Sequence, residues 1–319
     1  MRQQSLKRFG KGAMKVRHDY FPQRGTGRTK RFLGFVVIAA ILLFSGEAQL
    51  LADAHEKIHV FVSIIPHAYF VERIGDPLVE ANVLVGEGQS PATYEPTPRQ
   101  MTGLGKSLIY FRAGTPFEKG FIDRIRRNFK DLTIVDLRSG IPLRYFKSEK
   151  KGDGTPADPH MWLNPRYTKI QAVTICNALS EIYPENSTRF AANLEGLLDD
   201  LDELDTRIMK ILKPFKGENV YVFHPAFGYF CDAYGLIQVA IETEGKEPAP
   251  RELVSFIRRA KKDNATTIFV QPQYTKREAE AVAREIGGSV VPINPLPLHY
   301  IENMEEMANT IGQSFKHPD

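Results

Sequence analysis

Two stretches of this chain pass through the same succession of strand, helix, strand, helix. That repetition restricts the fold more than any other feature of its 319 residues. In the first half, residues 58–64, 81–85, 107–111 and 132–136 are short, β-branched, apolar runs bounded by turn residues, the pattern of buried strands. Helical patterns lie between them near 68–74, 97–104 and 117–128. In the second half, 220–223, 238–241, 266–270 and 289–292 repeat the strand pattern, and 226–234, 251–261, 276–286 and 301–315 fit helices. Alternation of this kind argues for parallel sheets with right-handed crossovers. The expected fold is α/β: two lobes, each a four-stranded, mostly parallel sheet with flanking helices.

One long helix, from about residue 185 to residue 212, joins the lobes. Phe190, Leu194, Leu197, Leu198, Leu201, Leu204, Ile208 and Ile211 recur three or four apart. Asp199, Asp200, Asp202, Glu203 and Asp205 fall mainly on the other face, which reads as a solvated surface and not a metal site. Pro184 fits the start, and Pro214 with Gly217 the end. At about 1.5 Å per residue the helix spans roughly 40 Å, enough to act as a stiff connector. The expected organisation is a leader over 1–54, an N-terminal lobe over 55–183, a linker helix over 184–213 and a C-terminal lobe over 214–319.

The leader has a basic start, an apolar run over 32–44 and a small-residue site at Ala52-Asp53-Ala54, the pattern of a secretory signal peptide. The apolar run is shorter than the roughly 20 residues of a membrane span, and an uncleaved anchor is the alternative. Residues 1–54 hold ten Lys or Arg against three Asp or Glu, a net of +7; the whole chain is +4, so the remainder carries −3. The basic character therefore belongs to the leader and does not indicate nucleic-acid binding. Export makes a disulfide permissible, but Cys176 and Cys231 each lie in an apolar helical stretch and read as buried small hydrophobes. The loop 146–157 is polar, contains glycine and holds no histidine.

Two segments each deliver one histidine at a change of local structure. They are Asp158-Pro159-His160-Met161-Trp162-Leu163-Asn164-Pro165 and Val222-Phe223-His224-Pro225-Ala226-Phe227-Gly228-Tyr229-Phe230. In parallel sheets ligands collect beyond the carboxyl ends of the strands. His224 directly follows an apolar strand, and Pro225 is expected to begin the next helix. His160 precedes a helix expected to start near Pro165 and belongs to the first lobe. Lobes facing each other across a cleft would bring the two imidazoles together, a donor set suited to zinc, copper, nickel or iron.

Over essentially the whole chain after the leader, the sequence resembles the periplasmic solute-binding proteins of zinc and manganese ABC importers, the cluster A-I family. The resemblance rests on Ser63-Ile64-Ile65-Pro66, Gly88-Gln89-Ser90-Pro91-Ala92-Thr93-Tyr94-Glu95-Pro96 and Asp158-Pro159-His160-Met161-Trp162. It continues in His224 with Gly228-Tyr229, Glu247-Pro248, Gln271-Pro272-Gln273 and Asn294-Pro295-Leu296. It implies two α/β lobes joined by a rigid helix, with a metal ion bound between them.

Two departures matter. The family pattern has a metal-binding histidine where this chain has Ala92, and an aspartate where it has Asn294. The His-rich loop of many zinc importers is also absent. The resemblance therefore carries over His160 and His224 alone, whereas zinc takes four ligands. His67, at the carboxyl end of the first strand, is the expected third ligand, with water or Asn294 as the fourth. Glu244 could bring a carboxylate. Gln271 is expected to orient His224 by hydrogen bonding, and Tyr94 to donate a hydrogen bond or wall the cleft. His55, His59, His299 and His317 read as surface residues, or for His59 as part of the first strand. Three neutral ligands favour Zn2+ over Mn2+.

The expected function is capture of zinc in the cleft of a monomeric periplasmic protein and delivery to an ABC membrane permease, without catalysis. A periplasmic metallochaperone or adhesin-like relative with an altered site is the alternative. A zinc-dependent hydrolase is disfavoured, because no H-E-x-x-H and no paired carboxylates at helical spacing accompany either histidine.

Overall fold

The computed structural model describes residues 57–146, 157–242, 249–274 and 276–316. The leader and Glu244 lie outside the described residues. Strands β1 (Ile58–Ile64), β2 (Val79–Val85), β3 (Ile109–Arg112) and β4 (Thr133–Asp136) form one sheet in the order β2-β1-β3-β4. Strands β5 (Asn219–Val222), β6 (Ile237–Ala240), β7 (Thr267–Val270) and β8 (Ser289–Pro292) form a second in the order β6-β5-β7-β8. Every pairing is parallel. The two halves therefore repeat one topology. In each, the chain reverses its winding between the first and third strands, and such a switch point opens a crevice at the carboxyl ends.

The helices are α1 (Ile65–Gly75), α2 (Pro98–Leu104), α3 (Phe121–Asn128), α4 (Pro165–Ile182), α5 (Ser187–Leu212), α6 (Gly228–Tyr234), α7 (Pro250–Lys262), α8 (Lys276–Ile286) and α9 (Tyr300–Ser314). Among the described residues, no helix is long and apolar enough to cross a membrane. Helix α1 follows β1 with no spacer and carries Pro66 in its first turn, where proline loses no helical hydrogen bond. The pattern over 117–128 divides into a 3-10 turn, Pro116–Glu118, and α3, because Gly120 adopts φ 78° between them. Pro225 does not begin a helix, contrary to expectation. A tight turn from His224 O to Ala226 N (2.8 Å) intervenes, and α6 starts at Gly228.

Helix α5 holds the molecule together. Phe190, Leu197, Leu201, Leu204, Ile208 and Leu212 along one face are fully buried. They belong to a continuous apolar core that runs from β1 and β3, through α4 and α5, to β5, α6 and α9. Flanking that face, Asp200, Asp202 and Asp205 pair with Arg73 of α1 and with Lys169 and Arg166 of α4. Exposed pairs of this type contribute about 0–1 kcal/mol each. A second core lies on the other face of the second sheet, under α7 and α8. Cys176 and Cys231 are both free and buried, as their apolar surroundings imply.

Candidate metal centre

His160 and His224 meet at the carboxyl edges of the two sheets. Their ring centroids are 5.3 Å apart and the rings are inclined at 76°. His224 follows β5 with one residue, Phe223, between them. His160 is the residue before a 3-10 turn, Met161–Leu163, that leads into α4. Asn164 fixes the start of that helix, its side chain accepting from the Arg166 amide at 3.0 Å.

Each imidazole is held from behind by a carboxylate. His160 Nδ1 lies 2.8 Å from Asp158 Oδ1, which also accepts the His160 amide at 3.0 Å. His224 Nδ1 lies 2.6 Å from Glu242 Oε2. Carboxylates only accept here, so both Nδ1 atoms carry the proton and both Nε2 lone pairs are free. Carboxylate–histidine pairs of this kind set the tautomer and orientation of metal-binding imidazoles. Burial lowers the His224 pKa, and its hydrogen bond to Glu242 opposes that shift; the neutral form is the one that binds metal. Tyr274 stacks on the His224 ring, with centroids 4.8 Å apart. A cavity of about 30 Å³ lies between the histidines, with Ser90, Pro91, Trp162, Gln271, Gln273 and Tyr274 among its walls.

The ring separation fits a tetrahedral ion. Two imidazoles bound through Nε2 at about 2.0–2.1 Å, at tetrahedral angles, would place their centroids roughly 5 Å apart.

Of the other expected site residues that the structure describes, Gln271 lies at the pair, and His67, Asn294 and Tyr94 fall elsewhere. His67 does not join the pair. Because α1 begins immediately after β1, His67 lies in its first turn and is fully buried. Its ring packs against Phe70 and Trp162, at 6.2 and 6.0 Å between centroids, and neither ring nitrogen has a hydrogen-bond partner. Burial lowers its pKa to about 3, and the nearby Gln171 side chain opposes the shift without reaching hydrogen-bonding geometry. Among the described residues, no three His, Cys, Asp or Glu side chains assemble into a metal-holding group. Asn294 is turned into its own loop, its Oδ1 accepting from the Leu296 amide at 3.0 Å, and it lines a different cavity. Tyr94 donates to Gln100 Oε1 at 2.6 Å and packs on Phe117, away from the histidines. Gln271 grips the main chain of His224, donating to its carbonyl at 2.8 Å and accepting from its amide at 3.3 Å.

The groups that orient the rings, Asp158 and Glu242, carry no role in the sequence reading. A signal for each exists. Asp158 stands two residues before its histidine, and Glu242 closely follows the strand beside the one that delivers His224.

Comparison with known proteins gives concordant results. The family model described as "Zinc-uptake complex component A periplasmic" (ZnuA) matches residues 60–314. A putative metal-binding protein of Chlamydia trachomatis serovar D is 29% identical over 256 residues, covering 79% of this chain and 90% of the relative. The high-affinity zinc uptake system protein ZnuA of Yersinia pestis is 25% identical over 309 residues, covering 89% of this chain and 95% of the relative. A crystal structure of ZnuA superposes with a TM-score of 0.77 at 36% identity, covering 82% of this chain and all of that one. A ZnuA deletion mutant with zinc bound gives a TM-score of 0.77 at 35% identity, covering 83% of this chain and all of that one.

Proposed function

The chain belongs to the ZnuA family of periplasmic zinc-uptake components, and from that membership we propose that it binds one zinc ion between its two sheets and hands the ion to an ABC permease. The observation that carries this reading is the pair of imidazoles 5.3 Å apart, each locked by a buried carboxylate that leaves its Nε2 free. Zinc is the cargo, His160 and His224 its protein ligands. Water takes further positions, and Glu244 stays a proposed carboxylate donor. The periplasmic description of the matching family supports a periplasmic location for the protein. The zinc-uptake role named for the ZnuA relative supports binding rather than catalysis, and both carboxylates beside the pair are already engaged with Nδ1, which leaves neither free as a general base.

Zinc titration against a competing chelator tests the reading. The intact protein should take up one ion, and His160→Ala and His224→Ala should each weaken binding at least 100-fold. Glu242→Gln should cost the 10–100-fold typical of an orienting partner. Wild-type affinity in both histidine variants would sink the proposal.

A further inference from the structure

We propose that Arg144 is a positioning residue for the metal site: it fixes the carboxylate behind His160 and ties that histidine to the second lobe. The inference rests on the zinc-binding reading above.

The Asp158 side chain is wholly shielded from solvent. One of its oxygens, Oδ1, is occupied by His160. The other, Oδ2, faces Arg144 Nη1 at 3.3 Å. An isolated charge in such a place is expensive, and a cation in contact offsets the cost. The main chain reinforces the pairing, since the Asp158 amide donates to the Arg144 carbonyl at 2.8 Å and Tyr145 and Ala157 form an antiparallel bridge alongside.

Arg144 also reaches across to the second lobe. Its Nε donates to Asp232 of α6 at 3.0 Å, and its amide donates to the Tyr229 hydroxyl at 2.7 Å. Its guanidinium lies against the bare backbone of Gly228, the first residue of α6; a Cβ there would overlap the guanidinium. One side chain thus links α6 to Asp158, and Asp158 to His160. The planar fork of arginine can serve two carboxylates at once, and a lysine ammonium is a poorer substitute. The histidine that receives the ion is thereby held by a group anchored on both sides of the cleft.

The test compares Arg144→Ala, Arg144→Lys, Gly228→Ala and Asp232→Asn in the full chain. Arg144→Ala should weaken zinc binding about 10–100-fold, the range for groups that orient a ligand. It should also alter the visible spectrum of bound Co2+, which a remote loss of stability would not do. Arg144→Lys should recover only part of the affinity. Asp232→Asn, which breaks only the outer half of the link, should cost less than Arg144→Ala. In metal-free protein, amide hydrogen exchange at Asp158 and His160 should accelerate at least tenfold in Arg144→Ala. If that variant does not fold, Gly228→Ala, which displaces the guanidinium, carries the same expectations. Zinc affinity within twofold of wild type together with unchanged exchange would overturn the inference. If the wild type itself fails to bind zinc, the transport reading falls, and the exchange measurement still decides the role of Arg144.

Discussion

His67 shows how far a residue's neighbours along the chain can mislead about its place in space. It follows Pro66 at the end of a first-lobe strand, where a ligand would be expected, yet its ring is sealed in the core beside Trp162. With both nitrogens unpartnered and its pKa lowered to about 3 by burial, it stays neutral in the fold over a range where an unfolded chain would protonate it. The unfolded state therefore binds the extra proton between pH 6.5 and about 3. Stability falls as pH drops through that window, by up to about 1.4 kcal/mol per pH unit for this one group. Leucine at this position removes two orphaned polar atoms. His67→Leu should thus keep wild-type zinc affinity and show a shallower loss of stability on acidification, measured by urea unfolding at several pH values. A large loss of zinc affinity would instead restore His67 to the site.

At the scale of elements, α5, the direct passage from β1 into α1 and the short turn after β5 decide the architecture. The heptad-like recurrence of leucines along α5 was readable because 3.6-residue periodicity is a local property of the chain. All eight strands were readable for the same reason, since short β-branched runs between turn residues have few other uses. The starts of α1 and α6 were less legible. Whether a proline opens a helix or sits in the turn before it depends on hydrogen bonds that form only once the neighbouring strand is in place, as with Ala226 and the His224 carbonyl. Leu201 lies mid-way along α5 with no exposed surface. Leu201→Ala should cost about 2–5 kcal/mol through lost burial and the cavity left behind. Zinc affinity should be unaffected, because α5 contributes no group to the metal centre. Chemical denaturation paired with zinc titration checks both statements, and a weakened zinc site would show that the helix also sets the lobe arrangement at the cleft.

For the whole molecule, one apolar core extends through both sheets by way of α4, α5 and α9. Trp162 of the first half donates to the Pro295 carbonyl of the second at 2.7 Å, and Tyr300 donates back to the Trp162 carbonyl at 2.6 Å. Such a core couples the halves, so thermal unfolding should show a single transition. Zinc at 100 times its Kd should add about 2.7 kcal/mol to the unfolding free energy, and two resolved transitions by calorimetry would contradict this account. The sequence alone determined the α/β class, the repeated four-strand pattern, the connecting helix and the two histidines, because each is written in local periodicity or in a short motif. Only the tertiary structure decided which groups surround those histidines. Asp158 and Glu242 became their partners, Asn294 and Tyr94 turned away, and His67 went into the core. Side-chain neighbours across a cleft are set by how two sheets pack on a shared helix, which no stretch of chain encodes by itself.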